Sequence, residues 1–261
     1  MSFETIYLIY PSCRIDKIIP CVSLAKEQAD GNVDFIVGYN GPKSSAVEDN
    51  VSLAVWFGST LFRPAYTKAV NLTFRAAVHE VFLKKNLNPE TTIVGYWSDD
   101  FIPSKGWDSK IKQSFSNPSI QVVGAYDGIR PVDYAVTIPF FRLDWLLKSN
   151  GGLFWVPHYK YVIDVEPFKK SNSRGEFYFA HDCEITHQHY INQSNTRAKD
   201  EVDAHNQNML RHSRDYQILK IREQQGFPLN WNANAEDEIF EKYKLFVNGH
   251  IDLSNIGASN E

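Results

Sequence analysis

The stretch Thr91-Thr-Ile-Val-Gly-Tyr-Trp-Ser-Asp-Asp-Phe-Ile-Pro-Ser-Lys-Gly-Trp-Asp108 decides how this chain is read. Its apolar run, Ile93–Trp97, has the length and content of a buried strand, and the run stops at two adjacent acids, Asp99 and Asp100. A stiff strand holds both carboxylates at a fixed point on the rim of a sheet. Two carboxylates this close repel unless a cation, a proton or a basic group relieves them. Hard oxygen ligands suit Mg²⁺ or Mn²⁺, which complete their shells with substrate phosphates and water. An isolated Asp-Asp is more often an acidic turn, so the company the pair keeps matters.

Working outward, strands and helices alternate through the first half. Strands are expected at Thr5–Tyr10, Asp34–Tyr39 and Val51–Trp56, and another at Ile120–Ala125. Helices are expected at Asp16–Glu27, where Pro20 confines or kinks the helix, at Tyr66–Lys84 and at Trp107–Phe115. Such alternation predicts a mostly parallel sheet with helices on both faces. Ligands of such sheets bind at the carboxyl ends of strands, which would gather Pro11–Arg14, Asn40 and the acidic pair. The second half reads as strands at Asp133–Phe141 and Val156–Val165 and a strand turning into a short helix over Phe140–Leu147. A polar, basic loop follows at Lys169–Gly175, then helices at Glu201–Gln225 and Ala235–Phe246 and a frayed tail from Ser254. Residues 1–261 read as one domain, with a first half to about residue 125 and a second half with C-terminal helices from about 126.

Composition fits an enzyme-sized globular domain. Hydrophobic residues make up 43% of the 261, which excludes a disordered chain. The net charge of −4 gives no global pull toward nucleic acid or anionic membranes, though a local basic groove survives such a sum. Three cysteines, Cys13, Cys21 and Cys183, show no paired spacing and point to free thiols in a reducing, cytoplasmic setting. No stretch approaches a membrane span, and the N-terminus opens on a strand-like run rather than a signal peptide.

Ser98-Asp-Asp-Phe-Ile-Pro103, followed by Trp107-Asp-Ser-Lys-Ile111, resembles the Asp-x-Asp segment of GT-A glycosyltransferases, especially the family 2-type enzymes. Ser98 replaces the first acid of that motif. Ile6-Tyr-Leu-Ile-Tyr-Pro-Ser-Cys-Arg14 resembles the first strand and nucleotide loop, and Val33–Pro42 the second strand and its loop. Lys68-Ala-Val-Asn71 resembles the helix before the acidic strand. Tyr39 stands where many relatives carry the Asp that grips the base. The resemblance covers about residues 4–190 and implies a GT-A α/β fold, a Rossmann-like mixed sheet flanked by helices. It implies a metal-dependent inverting transfer of sugar from a nucleotide sugar, foremost a UDP-sugar, with Mn²⁺ or Mg²⁺. Asp100 is then the metal ligand, and Asp99 belongs with Pro11, Ser12, Arg14, Asn40 and Lys68 to the nucleotide site. Trp107 would floor the donor or acceptor pocket, and Tyr10, Tyr39 and Tyr66 are candidates for stacking on the base.

A second cluster, His181-Asp-Cys-Glu-Ile-Thr-His-Gln-His189, gathers three histidines and two carboxylates. It resembles the later acidic motif carrying the catalytic base, which assigns that role to Asp182 or Glu184, Asp182 slightly preferred, and lets His187 join the metal shell. A rival reading makes His181, Cys183, His187 and His189 a zinc site, and with the acidic pair a metal-dependent hydrolase. Their spacing matches no established zinc signature. A noncatalytic sugar-binding module would leave the acidic pair unexplained. No Gly-x-Gly-x-x-Gly occurs, and Gly38–Ser45 has the wrong spacing for a phosphate loop. The acceptor is left open among a glycan, a small molecule, a protein and a hydroxymethylated DNA base. The compact chain resembles phage-type enzymes of this fold. Arg130, Lys169, Lys170, Arg174, Arg197 and Lys199 supply local cations for a DNA groove, and Arg63 has no assigned role.

Overall fold

In the computed structural model, the described residues are 3–58, 66–128, 136–155, 164–188, 216, 219–220, 222–227, 245–247 and 250–252. The first half winds as expected. β1 (Thr5–Ser12), α1 (Ile15–Gln28), β2 (Asn32–Tyr39), α2 (Ser45–Asn50) and β3 (Leu53–Trp56) are followed by α3 (Tyr66–Ala77) and β4 (Ile93–Tyr96). Then come β5 (Phe101–Pro103), α4 (Trp107–Ser114), β6 (Val122–Tyr126), β7 (Pro139–Arg142) and α5 (Leu143–Lys148). α6 (Val165–Asn172), β8 (Phe177–His187), β9 (Leu245–Val247) and β10 (His250–Asp252) complete the order.

The ten strands lie in the order β5-β8-β6-β7-β4-β1-β2-β3-β10-β9. β1 runs parallel to both β2 and β4, and β2 parallel to β3. β7 is antiparallel to β4 and to β6, while β6 is parallel to β8. Two reversals cancel, so β6 and β8 point the same way as β1 and β4. The carboxyl ends of β1, β2, β3, β4, β6 and β8 therefore share one edge, the rim where ligands of such sheets bind.

β1, β2 and β4 read as near-continuous apolar runs because both faces of the central sheet are covered. Glycines let neighbours close down on that sheet. A Cβ on Gly38 would sit 2.0 Å from Thr73 Oγ1 of α3, and one on Gly95 2.6 Å from the Phe140 ring. Two buried polar groups tie the layers. The Arg142 guanidinium donates to the carbonyls of Ile120, Glu90, Phe115 and Asn117. The Asp108 carboxylate accepts from the backbone N–H groups of Asp30 and Gly31, fixing the turn into β2.

Several sequence expectations are corrected. The long helix does not stay α-helical to Lys84: it widens into a π-helical turn over Val78–Phe82. The short helix α2 was not foreseen, and Ser44 caps it through a bond from the Val47 N–H. Lys169–Gly175 is not a polar loop, because residues 165–172 form α6 with Lys170 buried. Its Nζ donates to the Ser149 carbonyl and lies over the Trp145 ring, so the charge is sheltered rather than solvated. Residues 164–165 belong to this helical element rather than to a strand, and 245–246 to β9 rather than to a helix. The rest of the expected strand over 156–165 and most of the two C-terminal helices lie outside the described residues, as does the tail. Among the described residues no helix is long and apolar enough to cross a membrane.

Candidate active site at the carboxyl rim

β4 ends in a tight turn. The Phe101 N–H bonds the Ser98 carbonyl at 3.3 Å, placing Asp99 and Asp100 at the two central positions. Side chains at these positions diverge, and the turn sends the two acids to different partners. Asp99 accepts from Arg14 Nη1 at 3.2 and 3.1 Å through its two oxygens. Asp100 Oδ2 lies 3.1 Å from His187 Nε2. Cationic and imidazole neighbours thereby relieve the repulsion that the pair would otherwise suffer.

The turn is held from beneath. Trp97 Nε1 donates to Cys21 Sγ at 3.2 Å, and the Cys21 thiol reaches the Ser98 carbonyl at 3.4 Å. Burial pushes the Cys21 thiol up to about 12, so it is a neutral packing group. Trp97 packs on Trp107 with ring centroids 5.0 Å apart. Trp107 is fully buried and donates to the Ala25 carbonyl, so it is a core residue supporting the rim and not the floor of an open pocket.

β8 delivers the histidine. β5 and β8 pair antiparallel with Phe101 opposite His187, and the Gln188 N–H bonds the Asp100 carbonyl at 2.8 Å. The Phe101 ring meets the imidazole edge-on at 5.1 Å. Along β6 the register jumps: Ala125 faces Ala180, but Tyr126 faces Glu184. His181, Asp182 and Cys183 are thus a bulge without counterparts on β6. Beyond it the alternation resumes, with Glu184 exposed and Ile185 buried.

This geometry sorts the expected catalytic acids. Ile185 and His187 share the face opposite buried Phe101 and Pro103, whereas Thr186 lies opposite exposed Ile102. Glu184 stands with Thr186, whose hydroxyl donates to its Oε1 at 3.2 Å. Asp182 is exposed on the bulge, its carbonyl bound by Lys110 Nζ. Glu184 therefore does not share the side of β8 that carries His187, and Asp182 stands apart from it on the bulge. Residues 184–187 of the cluster follow the bulge on β8, so neighbouring members there point apart. Among the described residues no three His, Cys, Asp or Glu groups form a metal cluster; His189 lies outside them.

The loop after β1 faces the acidic turn. Ser12 Oγ accepts from the Arg14 N–H at 3.0 Å, shaping the loop so that Arg14 reaches Asp99. Pro11 is buried at the strand end. Beside it opens a cleft of about 710 Å³ lined by Cys13, Ile15, Asp16, Asn40, Pro42 and Lys43 among others. Tyr10 and Tyr39 do not line it, because both rings are fully buried, and the Tyr39 hydroxyl accepts from the Ser44 N–H. The side chains of Lys68 and Tyr66 lie outside the described residues, as do Arg63, Arg130, Arg197 and Lys199.

Two acids at the rim were missed by the sequence reading. Asp127 follows β6 as Asp99 follows β4, is buried, and accepts the His187 N–H on its carbonyl at 3.2 Å. An acid closing an apolar strand was a legible signal there. Asp164 precedes the first residue of α6, and its carbonyl accepts from the Val136 N–H at 3.3 Å. The α6–β8 turn sits at the amino end of β6, where the Gln121 and Val122 N–H groups bond the Glu176 carbonyl. α6 packs back along β6 and β8, so its opening residue returns to the carboxyl rim.

No protein-family model matches the chain, and no curated protein sequence matches it. Solved structures do. TarS of S. aureus in complex with UDP-GlcNAc superposes with a TM-score of 0.55 at 10% identity, covering 91% of this chain and 71% of that one. The fold is GT-A. The mannosyltransferase PcManGT from Pyrobaculum calidifontis, in complex with GDP-Man and Mn²⁺, matches at a TM-score of 0.49 and 13% identity over 70% of this chain. This chain spans 56% of the length of that mannosyltransferase and 59% of TarS in its UDP complex. At such identities the GT-A likeness is one of architecture, and the chemistry rests on the rim itself.

Proposed function

We propose that this GT-A chain transfers a sugar from a nucleotide sugar, a UDP-sugar in the first instance, to an acceptor hydroxyl with inversion at the anomeric carbon. The carrying observation is the division of labour at the β4 turn: Asp99 engages Arg14, while Asp100 engages His187. A carboxylate on the turn and an imidazole on the neighbouring strand are a donor set that fits Mn²⁺ better than Mg²⁺, since the carboxylate suits both ions and the imidazole favours the softer one. Asp100 and His187 would hold that ion, with the substrate diphosphate and water as its other ligands. When bound, the ion supplies charge stabilisation for the departing nucleoside diphosphate.

The chain's own groups carry the rest. The cleft between the ends of β1 and β2 has the volume of a small-ligand site and takes the nucleoside. Arg14 turns its guanidinium from Asp99 to the diphosphate, for which its planar donors are suited. Asp99 keeps Arg14 in place between turnovers. The acceptor oxygen attacks the anomeric carbon and its proton passes to a carboxylate; the bond to the β-phosphate oxygen breaks, its electron pair leaving with the diphosphate.

Asp182, Glu184 and Asp164 compete for the role of base. We assign it to Asp164. The support is its place at the rim immediately before a packed helix, whereas Glu184 projects from the side of β8 away from His187 and Asp182 stands exposed on the bulge. Parallel assays of Asp164→Asn, Asp182→Asn and Glu184→Gln test this. Loss of turnover with parental UDP–Mn²⁺ binding should appear in the first alone, and the same pattern in either of the others transfers the role. The activity itself is tested with labelled UDP- and GDP-sugars against glycans, small-molecule alcohols and hydroxymethylcytosine-containing DNA. Absence of nucleotide release and of labelled product with every donor would overturn the reading.

A further inference from the structure

The fork between Arg222 and Glu166 is not used by the chemistry above. Arg222 Nε donates to Glu166 Oε2 at 2.8 Å and Nη2 donates to Oε1 at 2.9 Å. Both side chains are buried, at 9% and 1% exposure. Glu166 lies on the first turn of α6, two residues past Asp164. The next residue along the C-terminal segment repeats the grip: Glu223 accepts Lys169 Nζ through both oxygens at 2.7 and 2.8 Å. Leu219 and Phe227 of the same segment are buried, and the chain turns there through positive φ at Gly226 and Phe227.

α6 needs such a hold. It has eight residues, and the Asp164 side chain makes no capping bond. A helix this short is not stable by itself, and its first N–H groups have no partners within the helix. A planar, two-bond fork fixes orientation as well as distance. A buried ion pair adds little net stability over an apolar pair, so direction is its distinctive contribution. A small misplacement of a reacting group is expensive: about 1 Å can cost about a hundredfold in rate.

We propose that Arg222 is a positioning residue for sugar transfer, holding the first turn of α6 through Glu166 and so setting where Asp164 meets the acceptor. This rests on the assignment of Asp164 as base. In the full chain, Arg222→Lys keeps the charge but loses the fork, and Glu166→Leu with Arg222→Met replaces the buried pair by apolar groups that fold. The probes are UDP–Mn²⁺ binding and nucleotide release from UDP-glucose, UDP-N-acetylglucosamine and GDP-mannose.

The double variant should bind UDP–Mn²⁺ as the parent does and keep the parental KM for donor, while kcat falls about thirtyfold or more. Arg222→Lys should lie between. Lys169→Ala, which breaks only the exposed pair, should keep the parental kcat. Parental kcat in the folded double variant, with Asp164→Asn inactive, overturns the positioning role alone. Loss of UDP–Mn²⁺ binding in step with kcat also overturns it, by making the contact general scaffolding. Parental turnover in Asp164→Asn overturns the base assignment and the positioning role together.

Discussion

His187 Nε2 lies 3.1 Å from Asp100 Oδ2, joining the end of the last long strand to the acidic turn 87 positions earlier in the chain. Both side chains are mostly shielded, each at 14% exposure. Asp100→Asn and His187→Ala should each weaken Mn²⁺-supported UDP binding by about tenfold or more. Calorimetric titration with and without Mn²⁺ separates this from loss of fold, since metal-free binding should change little. Equal Mn²⁺ enhancement in parent and variants would remove both residues from the metal shell.

Arg14 should recognise phosphate rather than base. Charge-assisted hydrogen bonds contribute about 1.5–3 kcal/mol, so Arg14→Ala should weaken UDP by roughly tenfold to a hundredfold. Uridine affinity should be unaltered. Asp99→Asn should lose less, because it removes only the group that parks the guanidinium. Equal losses for UDP and uridine in Arg14→Ala would place Arg14 elsewhere.

Cys13 offers a readout of cleft occupancy that needs no turnover. Its thiol is exposed and lines the cleft, whereas Cys21 and Cys183 are buried with thiols pushed up to about 12. Near pH 8 the buried pair stays protonated and inert to iodoacetamide. UDP with Mn²⁺ at about ten times its dissociation constant should slow Cys13 alkylation about tenfold. An unchanged rate would place the nucleoside outside this cleft.

Gly38→Ala should destabilise the fold by about 1–3 kcal/mol through overpacking. The added Cβ would meet Thr73 Oγ1 at 2.0 Å and the Phe57 ring at 2.7 Å. Gly152→Ala is not an equivalent control despite its open surroundings, because its φ of +75° adds backbone strain. Urea midpoints of parent and Gly38→Ala at a common m-value measure the effect, and an unshifted midpoint would contradict this packing of α3 on β2.

Lys170 gives a pH signature. Burial lowers its ammonium to about 8 from the ordinary 10.5. Below pH 8 both folded and unfolded chains carry the charge, and the folded state bears the full burial cost. Between pH 8 and 10.5 the unfolded chain binds more protons, so this group's contribution to stability rises with pH, by up to about 3 kcal/mol. The parent-minus-Lys170→Met difference in unfolding free energy should therefore climb from pH 7.5 to pH 10. A flat difference would mean the amine is not sheltered.

The first half was legible because its signals are local. Apolar runs such as Thr5–Tyr10 and Ile93–Trp97, each ended by turn or acidic residues, specify buried strands and their ligand-facing ends without reference to distant contacts. Asp99, Asp100 and Arg14 could be named for the same reason, and His187 through the family resemblance of its segment. Which of them meet could not, since the β4 turn splits the acids by geometry. α6 escaped because Val165-Glu-Pro-Phe-Lys-Lys-Ser-Asn172 looks like solvated loop. Its buried charges, Glu166 and Lys170, meet Arg222 and the Ser149 carbonyl, supplied from elsewhere in the chain. β5, three residues long, exists through its pairing with β8. Asp164 was hidden with α6, and the face of Glu184 depends on the bulge before it.

The bulge at His181–Cys183 works as a phase setting for everything downstream of it. Side chains on a strand have a period of two, so the number of surplus residues decides which set faces inward. Three surplus residues bring His187, rather than Thr186 or Gln188, against Asp100. Shortening the bulge by one would exchange the two faces and present Gln188 to the acidic turn, taking the imidazole away from Asp100 without substituting either residue. Shortening it by two would keep the histidine on its face but draw it one repeat short of its partner. The length of this insert thus decides whether the imidazole meets Asp100, and length variation here is a route by which a chain of this fold could gain or lose that contact.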